Sequence, residues 1–173
     1  IMKKIIILLI FASSSLDYAS AQQSAIQSYT KKTYMIPQRA NVQIFQVVLS
    51  PTDYHKPVPI LMERTPYGAD IPLKEDSTIS VDRLPHYYRN LLKEGYIFVL
   101  QDMRGKFKSE GTFEMTRPLY HLQKKAKTDE STDAYDAIDW LIKNIPDNNG
   151  KVGIFGISYL GYTALDAISD PHP

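Results

Sequence analysis

A chain of 173 residues with 43% hydrophobic and 11% aromatic side chains has the length of about one folded domain and too much apolar content to be disordered or fibrous. Its net charge of +1 lacks the concentrated basic face that nucleic-acid binding needs. The absence of cysteine excludes disulfides, thiolate metal sites and cysteine nucleophiles.

The first 21 residues read as a signal peptide. Lys3 and Lys4 form a basic start, Ile5 to Ala12 an apolar core, and Ala19-Ser20-Ala21 an A-x-A cleavage site. The apolar core is short for a membrane span, so export is expected, with no membrane anchor after cleavage. The mature chain would begin at Gln22, secreted or periplasmic. Residues 22–41 are polar and are expected to be an irregular leader.

Val42 to Leu49, rich in β-branched residues, reads as a strand at a sheet edge. Ile60 to Arg64 is a second strand, closed by Thr65-Pro66-Tyr67-Gly68, and a polar loop follows over 69–81. The spacing of Leu84, Tyr87, Tyr88, Leu91 and Leu92 predicts a helix over 82–94, ended by Gly95. Tyr96 to Leu100 is an unbroken apolar run, suited to a strand covered on both faces. After a long connection over 106–127, Thr128 to Asp133 supply a helix cap and an acidic first turn. Ala134, Ala137, Ile138, Leu141 and Ile142 continue that helix to Pro146. Lys151 to Phe155 is a last strand. This alternation predicts an α/β class, a mostly parallel sheet whose site lies at the carboxyl ends of its strands.

That last strand runs into Gly156-Ile157-Ser158-Tyr159-Leu160-Gly161. A strand that stops at glycine, turns at serine and continues as a helix has the form of a nucleophile elbow, G-x-S-x-G. The second glycine here stands three residues after the serine instead of two. Ser158 is the expected nucleophile, and the amide of Tyr159 the expected first oxyanion donor. The loop after the Ile60–Arg64 strand has no run of glycines to offer a second amide, so the Tyr67 phenol is the candidate for that task. The blander alternatives are that Ser158 caps its helix and that Tyr67 packs over the sheet.

A serine nucleophile also needs a base, which in this fold follows it in the chain together with an acid. His55, His86 and His121 precede Ser158. His172, Asp166 and Asp170 lie on or beyond the elbow helix, whose far end is about 20 Å from its start. The expectation is an N-terminal fragment whose catalytic Asp and His lie beyond residue 173, inactive by itself. The histidines show no metal-binding spacing, and no cofactor is expected. Asp102 and Arg104 are expected to pin a loop, and Asp129, Glu130 and Asp133 to pair with a helix dipole.

Three separated strings, Arg64-Thr65-Pro66-Tyr67, Gln101-Asp102-Met103-Arg104-Gly105 with Ser109-Glu110-Gly111, and Gly156-Ile157-Ser158-Tyr159-Leu160-Gly161, resemble the cocaine esterase and X-Pro dipeptidyl-peptidase family of α/β-hydrolases. That family's elbow is G-x-S-Y-x-G, which accounts for the displaced glycine. Met115-Thr116-Arg117-Pro118, Lys127 to Asp136, Asp139-Trp140-Leu141 and Asp170-Pro171-His172-Pro173 resemble the α-amino-acid ester hydrolases in particular. The resemblance spans residues 42–173. It implies Ser158 as nucleophile, and Tyr159 (backbone N–H) and Tyr67 (hydroxyl) as the oxyanion hole. It further implies a small-molecule ester or amide substrate, foremost an α-amino-acid ester, with transfer to a β-lactam amine as an added activity. An X-Pro dipeptidyl-peptidase, a cephalosporin acylase and a non-catalytic hydrolase-like binding domain are the alternatives, and a homo-oligomer is left open.

Overall fold

The computed structural model describes residues 28–52, 56–70, 78–84, 86–122 and 127–173. The expected signal peptide and His55 lie outside these residues. Six strands form one sheet: β1 (Ser28–Gln38), β2 (Val42–Pro51), β3 (Val58–Thr65), β4 (Thr78–Ser80), β5 (Ile97–Asp102) and β6 (Asn148–Ile154), in the order β4-β1-β2-β5-β3-β6. The helices are α1 (Arg89–Lys93), α2 (Glu130–Asn144) and α3 (Tyr159–Ala167). Strands β5, β3 and β6 run parallel, whereas β1, β2 and β4 make the antiparallel part. Connections between parallel strands require crossovers, and α1 and α2 fill that role.

Two expectations fail at the start of the chain. Residues 28–38, expected to be irregular, form β1 and pair along their whole length with β2. As a result β2 lies inside the sheet, between β1 and β5, and not at its edge. The hairpin turn hid both facts, because it contains no glycine: Ala40 (φ 67°) and Asn41 (φ 52°) take up the left-handed region instead. Arg39 holds this turn down. Its backbone N–H and guanidinium both donate to the Asp136 carboxylate on α2, at 2.9 Å and 2.7 Å. Residues 82–94 also differ from expectation. They make two short 3-10 turns, Val81–Arg83 and His86–Tyr88, before the five residues of α1.

Strand alternation divides the core into two layers. Odd-numbered Phe45, Val47 and Leu49 of β2, with Phe98 and Leu100 of β5, pack with Leu84, Tyr88 and Leu92 around α1. Even-numbered Ile44, Val48, Ile60 and Met62, with Ile97 and Val99, pack on Ala137 and Leu141 of α2. Every residue of β5 is buried, as its continuous apolar run requires. The Tyr29 hydroxyl donates to the Leu92 carbonyl at 2.9 Å, fastening α1 to β1, and burial pushes that phenol well above its usual range. Among the described residues, no helix is long and apolar enough to cross a membrane.

Candidate active site

The carboxyl ends of β5, β3 and β6 lie side by side, with Asp102 in register with Thr65 and the Phe155 amide donating to the Met62 carbonyl at 3.1 Å. Immediately beyond β6 the chain turns at Ser158, which adopts φ 60° and ψ −124° and stands exposed at the start of α3. A non-glycine residue in that region costs about 1–3 kcal/mol and persists only where its surroundings hold it. Gly156 is part of that hold: a Cβ there would lie 2.3 Å from the carbonyl carbon of Leu160 and 2.6 Å from its Cβ. The later glycine is less constrained, since a Cβ on Gly161 would meet the Gly156 carbonyl oxygen at 3.1 Å. Leu160 therefore occupies the position where the usual elbow has its second glycine.

Ser158 does not cap α3 through its side chain. Tyr159 is the first residue of α3, so its amide is one of the helix-start N–H groups with no intrahelical acceptor. Its phenol donates to the Met115 carbonyl, bringing the long connection after β5 against the elbow. Burial pushes that phenol up, helped by Glu130, Asp166 and the nearby Tyr67.

Tyr67 is 61% exposed, so it is not packed down over the sheet. The loop that carries it is fixed at two points. The Tyr67 amide donates to Thr65 Oγ1 at 3.0 Å and the Ala69 amide to Asp102 Oδ1 at 2.6 Å, while Asp102 Oδ2 accepts from Lys108 N–H of the segment after β5 at 3.2 Å. Asp102 thus pins a loop, as expected for it, and the loop it pins is the one bearing Tyr67.

Beneath the elbow lies a buried ion network that the sequence reading did not foresee. Arg64 on β3 is wholly buried and reaches Glu130 Oε2 at 3.0 Å, the Glu130 carbonyl at 2.8 Å and Gln101 at 2.9 Å. Arg117 bridges Glu130 at 2.5 Å and Asp133 at 2.7 Å, and Arg104 also grips Asp133 at 2.5 Å. Glu130 and Asp133 therefore do more than face a helix dipole. Asp129 is the true cap: its carboxylate accepts from the Thr132 amide at 2.8 Å while Thr132 Oγ1 accepts from the Asp129 amide. The network reaches the elbow helix through the Arg64 carbonyl, which accepts from Thr163 Oγ1 of α3 at 3.3 Å.

Next to the elbow is a cavity of about 330 Å³. Tyr67 and Leu160 line it on one side, and Leu84, Tyr87 and Leu100 elsewhere. Glu63 of β3 contributes a carboxyl that accepts a hydrogen bond from Tyr88. Burial pushes the Glu63 carboxyl up, against the opposing effect of the Tyr88 hydroxyl. The one sign of this pair in the sequence is a carboxylate inside an apolar strand.

The described histidines do not converge on Ser158. His172 contacts Asp139 at 3.4 Å and stacks on Tyr135, while His86 and His121 pack on Tyr87 and Tyr120. Among the described residues, Ser158 Oγ has no hydrogen-bonding partner, and no group of three metal-ligating side chains converges.

A mixed sheet, parallel where it carries the site, with helices on both faces and a serine on a strained strand-to-helix turn defines an α/β-hydrolase fold. The chain belongs to the X-Pro dipeptidyl-peptidase (S15) family, whose model matches residues 41–173. It is 35% identical over 133 residues to a cocaine esterase from Rhodococcus sp. (strain MB1 Bresler), covering 77% of this chain and 20% of that protein. Its fold matches an α-amino acid ester hydrolase with a TM-score of 0.77 at 37% identity, over 93% of this chain and 27% of the other. An aminopeptidase from a marine sediment Thaumarchaeota archaeon matches with a TM-score of 0.77 at 41% identity, over 84% and 24%. The chain thus spans between 20% and 27% of the length of these relatives.

Two outcomes follow in the full-length protein. Gly156→Ala forces the turn apart, and Ser158 labelling by a fluorophosphonate is expected to slow by about 10²-fold with the far-ultraviolet spectrum unchanged, the rate cost of a misplaced reacting group; labelling at the parental rate would show that the turn tolerates the methyl. The second concerns acid. Burial raises the Asp133 carboxyl, but Arg104, Arg64 and Arg117 more than offset this and hold it below its usual range. A depressed carboxyl contributes stability above its unfolded value, near about 4, and loses it as pH falls through the folded value. Urea midpoints should therefore drop below about pH 4, and Asp133→Asn should cost about 3–5 kcal/mol at pH 7. That deficit should shrink as pH falls through the folded value of the parent carboxyl. A deficit independent of pH would rule the charge out.

Proposed function

We propose that the full-length protein is a secreted serine hydrolase that cleaves α-amino-acid esters through an acyl-enzyme on Ser158. The observation that carries this is the exposed Ser158 on its strained turn, beside the Tyr159 amide at the head of α3. Ser158 Oγ attacks the ester carbonyl and gives its proton to a base. The oxyanion is held by the Tyr159 amide and the Tyr67 hydroxyl, and collapse of the intermediate expels the alcohol. Water then releases the acid, and a β-lactam amine in place of water gives an amide. The base and its orienting carboxylate are assigned to parts of the full-length protein outside the described residues.

The ester reading is supported by the 37% identity with an α-amino acid ester hydrolase. A second reading, hydrolysis of peptide amides, is favoured by the 41% identity with an aminopeptidase and by the family description. Export rests on the Lys3–Ala21 pattern, and N-terminal sequencing of protein collected outside the cytoplasm should start at Gln22.

The test is labelling and turnover in the full-length protein. Fluorophosphonate should modify Ser158, and Ser158→Ala should lose both labelling and hydrolysis of amino-acid methyl esters. Label retained in Ser158→Ala would defeat the assignment. Tyr67→Phe should lower kcat by about 10²-fold or more with little change in KM, the signature of a lost oxyanion donor. Turnover of X-Pro amides above that of methyl esters would move the substrate to the second reading.

A further inference from the structure

The cavity beside the elbow has an unusual base. Glu63 and Arg64 are consecutive on β3, so they face opposite sides of the sheet. Arg64 enters the ion network, whereas Glu63 enters the apolar layer formed by Phe98, Leu100 and Leu92. Its side chain is only 8% exposed, lines the cavity, and has Tyr88 as its one hydrogen-bonding partner among the described residues. Tyr88 donates to Oε2, so among the described residues Oε1 remains available as an acceptor on a carboxyl that lines a space walled by leucine and aromatic side chains. A ligand that brings a donor to a carboxyl lining such a space makes a hydrogen bond where water competes least.

The volume of about 330 Å³ suits a ligand group the size of one aromatic side chain. Two of its walls belong to the reaction site: Leu160 stands two residues after Ser158, and Tyr67 carries the hydroxyl assigned to the oxyanion. A group attached to the reacting carbonyl is therefore the group that reaches this space.

We propose that the cavity is the acyl subsite, taking an aromatic side chain that ends in a hydrogen-bond donor, which Glu63 Oε1 receives. This deepens the reading of Ser158 as nucleophile and rests on it. The substrate class it selects is esters of tyrosine-like amino acids over those of phenylalanine. Tyr88 acts as a positioning residue, holding the Glu63 carboxyl in one orientation through its own hydroxyl.

The experiment uses full-length protein and two readouts. With a common methanol leaving group, kcat/KM for tyrosine methyl ester should exceed that for phenylalanine methyl ester by about tenfold, the value of one hydrogen bond made in an apolar site. In Glu63→Leu this ratio should fall to about one, and Glu63→Gln, which keeps an acceptor oxygen, should restore a preference for tyrosine. Independently of ester turnover, 4-ethylphenol should protect Ser158 from fluorophosphonate about tenfold better than ethylbenzene, and Glu63→Leu should erase the difference. Should Glu63→Leu fail to fold, Leu84→Phe, which fills the cavity from its other wall, should abolish protection by both compounds. A parental ratio near one, equal protection by the two compounds, or a ratio unchanged in Glu63→Leu each overturns the proposal. Absence of any Ser158 labelling in the parent protein would instead defeat the nucleophile on which it rests.

Discussion

Three guanidinium groups and two carboxylates sit together in the layer behind the elbow, and the rest of the site depends on that arrangement. Arg64, Arg104 and Arg117 are drawn from β3, from the segment after β5 and from the long connection, while Glu130 and Asp133 come from the first turn of α2. Burying ions on this scale is costly unless every charge is paired and hydrogen-bonded, and an apolar cluster of equal volume would be at least as stable. What the ions supply is fixed geometry. The Arg64–Glu130 pair ties α2 to β3, and Arg104 and Arg117 tie the segments after β5 to the same turn of α2.

The same strand serves two opposite environments. Along β3 the alternation of side chains sends Glu63 into an apolar space and Arg64 into the charged layer, with Thr65 next accepting from the Tyr67 amide. Three consecutive residues thus contribute to the cavity, to the support behind the elbow and to the loop that displays Tyr67. Asp102 adds to this from the neighbouring strand, where its carboxyl is pushed up by burial and pulled back by the Ala69 and Lys108 amides it accepts from. The loops at the carboxyl ends of these parallel strands are held by such contacts, to their own strand end and to the neighbouring strand.

What the sequence disclosed and what it hid follow from the range of the interactions involved. The apolar runs of β3 and β5, the cap at Asp129 and the glycine before Ser158 are local signals, each fixed by the chemistry of a few adjacent residues. The strand β1 was hidden because its alternation is weak and its turn uses Ala40 and Asn41, which carry no glycine signal and are held by Arg39 bonding to Asp136 far along the chain. The interior position of β2 could not be read for the same reason: edge or interior is decided by pairing partners, not by composition. Likewise Arg117 and Glu130 look like surface charges in the sequence, since only the fold brings them under the elbow. Tyr67 was legible as a candidate, while the contacts that display it were not.

The displaced glycine changes what the turn can be altered to do. With Leu160 in the usual glycine's place, a single residue both closes the strained turn over Gly156 and forms part of the cavity wall. Any exchange at that position alters the shape seen by a ligand and the seating of the serine at once. Diversification of this fold towards new ligands is thereby channelled to lining positions such as Tyr87, half exposed on a short turn outside the elbow.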